Sequence, residues 1–186
     1  MNAPLDPYEV VREEVGEIMR DHIVIMPAHP HLVSSMVRLD RQAFAQSWPL
    51  RELRAFVALS EASIRAPMCH RSLVALEGGR LVGFLLGTLR REESQIHRLA
   101  VAASCRRRGI GRRLAFHFLR EARPSCSAIS FLVRETNLGG LCFLRSIGFR
   151  TPGYGALQAD AFPDGETGVV LLRQLAAVPF VVQRAE

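Results

Sequence analysis

The densest group of side chains able to bind an anion lies in the stretch CRRRGIGRR, residues 105–113. Five of its nine residues are Arg, and Gly109 and Gly111 stand between the two Arg clusters. An Arg guanidinium binds phosphate through a planar charged fork, and glycine lets the backbone approach a ligand closely. The stretch therefore predicts either a loop that holds a phosphorylated cofactor or a basic patch for nucleic acid.

The context of this loop favours the cofactor. A strand pattern precedes it and a helix pattern follows it, so unpaired amides at the start of the helix add to the anion site. A P-loop needs a Lys, and the chain has none; a dinucleotide fingerprint needs a third glycine, where Leu114 stands. Nucleic-acid binding needs spread phosphate contacts and stacking groups, whereas the nearby Phe116 and Phe118 fit a helix core.

His97 is a candidate to move a proton, because the unperturbed pKa of a His side chain lies near neutral pH. It falls within the strand pattern QIHRLAV, residues 95–101. The two-residue period of a strand predicts that Gln95, His97, Leu99 and Val101 share one face. A His packed under the sheet with no role in proton transfer is the alternative interpretation.

The composition is that of a globular protein with a basic bias. Apolar residues make up 48% and charged residues 23% of the 186 residues, and the formal net charge is +6. The four Cys residues form no C-x-x-C pair, which disfavours a zinc site and favours a reducing, cytoplasmic compartment. The N-terminus lacks the apolar core of a signal peptide, and the longest apolar run, 81–89, is too short to span a bilayer. We therefore expect no metal and no membrane partner.

The remaining sequence predicts the elements that position these groups. Helix patterns cover 9–20, 30–44, 109–122 and 137–146. A further helix pattern starts at Pro49, and its apolar set is Leu50, Leu53, Phe56, Val57, Leu59 and Ile64. Strand patterns cover 22–26, 71–77, 80–90, 95–101, 128–133, 168–175 and 179–183, with a further strand starting within 147–149. Gly78 and Gly79 predict a tight hairpin turn, Asn137 a helix N-cap and Gly148 a helix end.

This order of elements predicts a mixed α/β (α+β) layer fold. It reads as a helix-rich start, an antiparallel hairpin, and then alternating strands and helices, which is unlike a doubly wound sheet. The chain contains no internal repeat, linker or low-complexity segment. We divide it into an N-terminal extension, 1–21, and a single domain, 22–186.

Two passages, IHRLAVAASCRRRGIGRRLAFHFL and VRETNLGGLCFLRSIGF, resemble the GNAT superfamily of N-acetyltransferases. In the first passage, Arg106-x-x-Gly109-x-Gly111 matches the acetyl-CoA pyrophosphate motif of that family. The resemblance covers roughly residues 22–175. It implies a GNAT-like fold, in which helices flank a mixed, mostly antiparallel central sheet.

The resemblance implies acetyl-CoA as the cosubstrate. Its pyrophosphate would lie on the Arg/Gly loop, and its pantetheine between the splayed ends of the 95–101 and 128–133 strands. The backbone of Leu99 and Val101 would bind the pantetheine amides, and an N–H there would polarise the thioester carbonyl. The residues implied to bind the cofactor are Leu99, Ala100, Val101, Arg106, Arg107, Arg108, Gly109, Ile110, Gly111, Arg112, Asn137 and Phe143.

Some of these roles have alternatives. Arg107, Arg108 and Arg112 either contact the 3′-phosphate of the cofactor or face water. Asn137 either caps its helix or contacts pantetheine, or does both.

A narrower resemblance concerns the acceptor. DRQAFAQSW, residues 40–48, and VRETN are similar to the corresponding segments of the ribosomal-protein alanine N-acetyltransferases. This similarity implies that Phe44 and Trp48 wall the acceptor site, with core packing as the alternative.

Two positions depart from the family pattern. Phe143 stands where the last helix usually carries a proton-donating Tyr, and Leu132 stands where the alanine N-acetyltransferases carry a Glu. His97 is then the leading candidate for the base, since serotonin N-acetyltransferase has a His at the position that resembles it. Tyr154 is a candidate for the acid or for a part of the substrate pocket.

We therefore expect acetyl transfer from acetyl-CoA to a primary amine, either a protein N-terminus or a small amine. The alternative is a non-catalytic acyl-CoA-binding module, which Phe143 and Leu132 favour. The expected partners are the amine and a second copy of the chain in a homodimer, with no nucleic acid.

Overall fold

A computed structural model of the chain describes residues 23–62, 68–122, 126–153 and 156–175. The strands among them are β1 (Ile23–Pro27), β2 (Met68–Glu77), β3 (Arg80–Arg90), β4 (Glu93–Val101), β5 (Ala128–Arg134), β6 (Leu157–Gln158) and β7 (Gly168–Gln174). The α-helices are α1 (Val33–Ala43), α2 (Leu50–Ala62), α3 (Ile110–Ala122) and α4 (Leu138–Ser146). Single 3₁₀ turns cover Pro30–Leu32 and Ala103–Cys105.

The strands form one sheet in the order β1-β2-β3-β4-β5-β7-β6. Neighbouring strands are antiparallel, except that β4 and β5 are parallel. β2 and β3 form the predicted hairpin, in which Gly78 and Gly79 have φ values of 52° and 75°. Glycine adopts such positive φ without steric cost. The prediction of a mixed, mostly antiparallel sheet flanked by helices is confirmed.

Helices cover both faces of this sheet and divide the core into two apolar clusters. The cluster on the face covered by α1 and α2 includes Met36, Leu53, Val57, Phe84 and Leu86. The cluster on the face covered by α3 and α4 includes Leu85, Leu114, Phe118, Ile129 and Leu144. Burial of each such side chain contributes roughly 1.5–3 kcal/mol, so both helix layers are held mainly by apolar packing.

Helix α3 lies unusually close to β3 because of one glycine. A Cβ added at Gly87 would lie 2.4 Å from Cε2 of Phe118 and 2.8 Å from the carbonyl oxygen of Gln95. Phe118 is fully buried, so its ring has no free space into which to move. The glycine therefore fixes the separation between the helix and the sheet.

Strand β4 contains a β-bulge. Leu86 pairs with Arg98, whereas the next residue, Gly87, pairs with Ile96, so His97 has no partner of its own on β3. An extra residue in one strand shifts the alternation of its side chains by one position. The side chains before His97 and those after it therefore alternate between the two faces of the sheet in opposite phase.

The bulge overturns one prediction. Gln95, His97, Leu99 and Val101 do not share a face of the sheet. Leu99 and Val101 pack on the α3/α4 face, whereas the His97 ring lies 5.7 Å from the Phe56 ring on the α1/α2 face. A strict two-residue period fails here because the inserted residue lies inside the strand.

Other differences are local. Gly148 ends α4 with a φ of 92°, as predicted, but in place of a regular strand Arg150 forms only an isolated bridge to Leu172. Leu50 and Leu59 were expected in the apolar set of α2 and are 42% and 51% exposed, because Leu53, Phe56 and Val57 already fill the contact with the sheet. The short strand β6 was not predicted. Outside the described residues lie the predicted helix 9–20, the extension 1–21, Ile64, Tyr154 and the predicted strand 179–183.

We predict that Gly87→Ala destabilises the protein by about 1–3 kcal/mol, because the new methyl group overlaps the Phe118 ring and neither the helix nor the sheet can yield freely. Urea unfolding followed by far-UV circular dichroism measures this free energy. Gly139→Ala is the control, since a Cβ there meets no atom within 4 Å. Equal unfolding midpoints for Gly87→Ala and the unmutated protein would contradict the close contact.

Candidate active site

Strands β4 and β5 separate partway along their length. They pair from Glu93 with Ala128 as far as Ile96 with Phe131. Beyond that point β4 pairs only with β3, and β5 only with β7. Between the facing edges of 97–101 and 132–134 a V-shaped opening results, whose backbone groups are available to a ligand.

The Arg/Gly loop lies directly after the open end of β4. Gly109 precedes α3 with a φ of 78°, and Arg107 has a φ of 64°. Among the described residues, no acceptor is found for the backbone N–H groups of Ile110, Gly111 and Arg112, which form the first turn of α3. These amides and the helix dipole provide an anion site.

Two glycines give this anion site its shape. A Cβ added at Gly109 would meet no described atom within 4 Å, so the space beside it is open to a ligand. A Cβ at Gly111 would lie 3.4 Å from Cζ of Phe143 and 3.5 Å from Cδ2 of Leu99. The start of α3, the middle of α4 and β4 therefore converge here. A phosphate group with a chain leading into the opening fits these residues.

The arginines of the loop have different surroundings. Nε of Arg106 donates a 3.2 Å hydrogen bond to the carbonyl oxygen of Val101, which braces the end of β4. Arg108 forms a two-point ion pair with Glu77 at the end of β2. The hydrogen bond from Arg108 lowers the pKa of Glu77, and Glu77 in turn raises the pKa of Arg108. Arg108 is thereby directed towards the hairpin.

Arg112 lies on the outer surface of α3. Its guanidinium carbon is 5.4 Å from the centre of the Phe116 ring, and it lines a surface groove together with that ring and Arg120. Arg107 is exposed. Arg106 and Arg108 are thus engaged by other parts of the protein, whereas Arg107 and Arg112 are exposed. The backbone amides of residues 110–112 are the groups best placed for a pyrophosphate.

Asn137 caps α4, as one of its two interpretations requires. Its side-chain oxygen accepts a 2.9 Å hydrogen bond from the backbone N–H of Gly140. A Cβ at Gly140 would lie 2.7 Å from the Asn137 amide nitrogen, so the Asn137 side chain packs directly against this glycine. The cap fixes the start of α4, which carries Phe143 against α3.

His97 lies at the point where the opening begins, and it faces the α1/α2 layer. Its Nε2 is 2.8 Å from Oγ1 of Thr88, and the Trp48 ring centre lies 6.4 Å from that of His97. Burial, followed by the nearby charges of His70 and Arg90, lowers the pKa of His97 to about 4. The expectation of a pKa near neutral is therefore incorrect, and the imidazole is uncharged at pH 7.

The residue after His97 holds the loop between α1 and α2. Nη2 of Arg98 donates a 2.6 Å hydrogen bond to the carbonyl oxygen of Gln46, and the guanidinium lies 4.2 Å from the Phe44 ring centre. Nη1 of Arg98 is 3.6 Å from Oδ1 of Asp40, a fully buried carboxylate. The backbone N–H of Trp48 donates a 2.7 Å hydrogen bond to Oδ2 of Asp40. This network holds Phe44 and Trp48 against Arg98, and it places the Trp48 ring beside His97.

Burial raises the pKa of Asp40, and the Arg98 charge and the Trp48 hydrogen bond oppose that rise. Burial also lowers the pKa of Arg98, against the opposing effect of Asp40. Each group is thus costly to bury alone, and together they form a pair in which loss of either partner leaves an uncompensated charge.

Sequence reasoning missed several of these residues. Asp40 carried a usable signal, because it follows the buried Met36 by four positions and so lies on the apolar face of α1. A charged residue on such a face predicts a buried partner. Thr88 and His70 carried no comparable signal.

The described residues contain no group of three or more His, Cys, Asp or Glu side chains placed to hold a metal ion. None of the described helices is both long enough and apolar enough to cross a membrane.

Comparison with known proteins identifies the family. A family model, the Acetyltransferase (GNAT) family, matches residues 33–149. This match covers more than half of the chain, and the chain therefore belongs to the GNAT acetyltransferases. A search of curated proteins by sequence gave no match.

Solved structures agree on the fold. Ard1 from Thermoplasma volcanium has a TM-score of 0.72 at 21% identity, over 82% of this chain and 97% of that chain. The ribosomal-protein-S18-alanine N-acetyltransferase from Escherichia coli has a TM-score of 0.71 at 16% identity, over 87% of this chain and 99% of that chain. The yncA protein from Salmonella typhimurium, solved with its cofactor acetyl-CoA, has a TM-score of 0.67 at 15% identity, over 83% of this chain and 95% of that chain. At these identities the similarity establishes the fold.

We predict that Gly109→Val weakens acetyl-CoA binding at least about tenfold, because a branched side chain enters the open space at the amides and opposes the positive φ. Isothermal titration calorimetry measures the Kd. Gly79→Val is a matched control, since Gly79 has a φ of 75° and an equally open surrounding but lies in the β2–β3 turn. Gly79→Val should lose stability while keeping its affinity for acetyl-CoA. Equal Kd values for Gly109→Val and Gly79→Val would contradict the predicted site.

The partly buried His97 makes the stability of the protein depend on pH. The folded pKa of His97, about 4, lies below the ordinary value of 6.5, so the unfolded state binds more protons between these values. Stability is therefore lost as pH falls from about 6.5 towards 4. Between pH 7 and pH 5, we expect the free energy of unfolding to fall by about 1–2 kcal/mol more in the unmutated protein than in His97→Gln. Urea unfolding at both pH values tests this, and equal losses would show that the imidazole is not held uncharged.

Proposed function

We propose that the protein transfers the acetyl group of acetyl-CoA to a primary amine, either a protein N-terminus or a small amine. The single observation that carries the proposal is a continuous site. The amides at the start of α3 lie beside the V-shaped opening between β4 and β5, and His97 lies where that opening begins. Family membership supports the same chemistry.

In this proposal the cosubstrate binds mainly to the backbone. The amides of Ile110, Gly111 and Arg112 hold the pyrophosphate, Gly109 leaves space for it, and the Arg107 and Arg108 region adds positive charge. The pantetheine arm follows the unpaired edge of β4, where Leu99 and Val101 offer backbone hydrogen bonds, and Ala100 lies between them. Asn137 and Phe143, on α4, flank the arm.

The proposed reaction is direct attack of an uncharged amine on the thioester carbonyl. A backbone N–H of the open β4 edge stabilises the oxygen as negative charge develops on it. His97 receives the proton that the amine nitrogen loses. Tyr154 is proposed as the acid or as part of the acceptor pocket, since the Phe143 ring has no proton to donate.

The acceptor is proposed to approach from the α1/α2 face. His97 faces that side with Trp48 beside it, and Arg98 holds the Phe44 ring in the same layer. Leu99 faces the opposite layer. The cofactor and the amine would thus meet at the opening from different sides of the sheet. Cys105, Cys126 and Cys142 are free thiols, which supports a reducing, cytoplasmic compartment.

A non-catalytic acyl-CoA-binding module is the second candidate. Phe143 and Leu132 favour it because neither side chain can transfer a proton. The low pKa of His97 also favours it, because an imidazole of pKa about 4 is a weak base.

The decisive experiment incubates the protein with acetyl-CoA and a panel of acceptors, namely peptides with a free N-terminal Ala, Ser or Met and the polyamine spermidine. Release of free thiol measures turnover. We predict turnover above the acceptor-free rate, and a loss of about 10²-fold in His97→Gln with unchanged acetyl-CoA affinity. His117→Gln, on α3, is the matched control and should retain activity. Thermal stabilisation by acetyl-CoA without thiol release for any acceptor would support the binding module instead.

A further inference from the structure

His97 belongs to a chain of three polar side chains beside Phe56, in which the buried Thr88 lies between the half-buried His97 and His70. Oγ1 of Thr88 lies 2.8 Å from Nε2 of His97 and 3.3 Å from Nδ1 of His70. Thr88 is only 2% exposed and pairs with His70 in the register of β2 and β3. The hydroxyl has one proton, so it donates to one imidazole while it accepts from the other.

The Phe56 ring holds both imidazoles in place. Its centre lies 4.7 Å from that of His70 and 5.7 Å from that of His97, both edge-on. His70 is half-buried, and its Nε2 is the nitrogen that does not face Thr88. Within the described part of the chain, Nδ1 of His97 has no hydrogen-bond partner. The chain therefore has one unengaged nitrogen at each end.

We propose that Thr88 and His70 form a proton relay that connects His97 to solvent. The inference rests on the proposed acetyl transfer and assigns positioning roles to two residues outside the cofactor contacts. A hydroxyl that bridges two imidazoles can exchange its donor and acceptor directions by moving two protons together. No heavy atom needs to move during this exchange.

During acetyl transfer, each proton that one group of the relay releases is taken up by the next group. As the amine nitrogen bonds to the carbonyl carbon, its proton passes to Nδ1 of His97. Nε2 of His97 releases its proton to Oγ1 of Thr88, Oγ1 releases its own proton to Nδ1 of His70, and Nε2 of His70 releases a proton to solvent. The C–S bond breaks with its electron pair on sulfur.

The same chain then runs in reverse. The thiolate takes the proton now held on Nδ1 of His97, while His70 recovers a proton from solvent and the two bridging protons shift back. His97 thereby serves first as base and then as acid. This sequence provides the proton that Phe143 cannot donate.

The surroundings explain why a relay is needed. Burial and the charge of Arg90 lower the pKa of His70. Burial, with the charges of His70 and Arg90, lowers the pKa of His97 to about 4, and the ring lies beside the uncharged Phe56 and Trp48. A proton received by His97 therefore cannot remain there. Passing it to the less buried His70 removes the charge from the apolar surroundings.

The test compares Thr88→Val with Thr88→Ser. Valine keeps the shape of threonine without the hydroxyl, whereas serine keeps the hydroxyl. Using acetyl-CoA and the best acceptor of the panel, we expect kcat to fall about tenfold or more in Thr88→Val, with little change in the KM for acetyl-CoA. Thr88→Ser should recover most of the activity. His70→Gln, a less buried change, should show a similar fall in kcat.

A solvent isotope measurement separates a relay from a packing role. In mixtures of H₂O and D₂O, the unmutated protein should show a curved dependence of kcat on the deuterium fraction, because several protons move together. Thr88→Val should show a smaller, linear dependence. Loss of kcat in both Thr88 variants, with the curvature retained in the residual activity, would overturn the relay in favour of a packing role.

Two further results are distinguishable. If the unmutated protein turns over and Thr88→Val and His70→Gln match it in kcat, the relay is wrong and the proposed function stands. If the unmutated protein releases no thiol with any acceptor, the proposed function is wrong and the relay falls with it.

Discussion

The bulge at His97 is the constraint on which the site depends. One extra residue in β4 places His97 on the α1/α2 face while Leu99 and Val101 remain on the α3/α4 face. At the same position β4 parts from β5, so an unpaired strand edge begins beside an imidazole. A regular strand would have turned His97, the proposed base, towards the same layer as the Arg/Gly loop. The two substrates of the proposed reaction would then compete for one side of the sheet.

The two helix layers hold the parts of this arrangement in different ways. On the α3/α4 face, close apolar packing at Gly87 and Phe118 sets the position of α3, whose first turn is the proposed anion site. On the α1/α2 face, a buried ion pair between Arg98 and Asp40 holds the connecting loop. Close packing suits a site that recognises a common cofactor through its backbone. A polar network on a loop suits the side that distinguishes acceptors, because loops vary without disturbing the core.

Much of the fold followed from the sequence because its signals are local. The glycine pair at 78–79, the cap at Asn137 and the Arg/Gly loop each specify a turn or a helix end by residue type. The face assignment in β4 failed because a bulge depends on pairing with another strand, and the sequence of one strand does not reveal it. The links from His97 to Thr88 and His70 were equally hidden, since they depend on the registers of three strands. The pKa of His97 could not be foreseen for the same reason, because burial by Phe56 and Trp48 is a tertiary effect.

A crystal structure with bound acetyl-CoA would show which groups hold the cofactor. We predict pyrophosphate oxygens about 3 Å from the amide nitrogens of residues 110–112, within hydrogen-bond distance. We also predict the thioester in the opening between β4 and β5, next to His97. A cofactor held on the outer groove at Arg112 and Phe116, with those amides unengaged and the opening empty, would contradict this prediction.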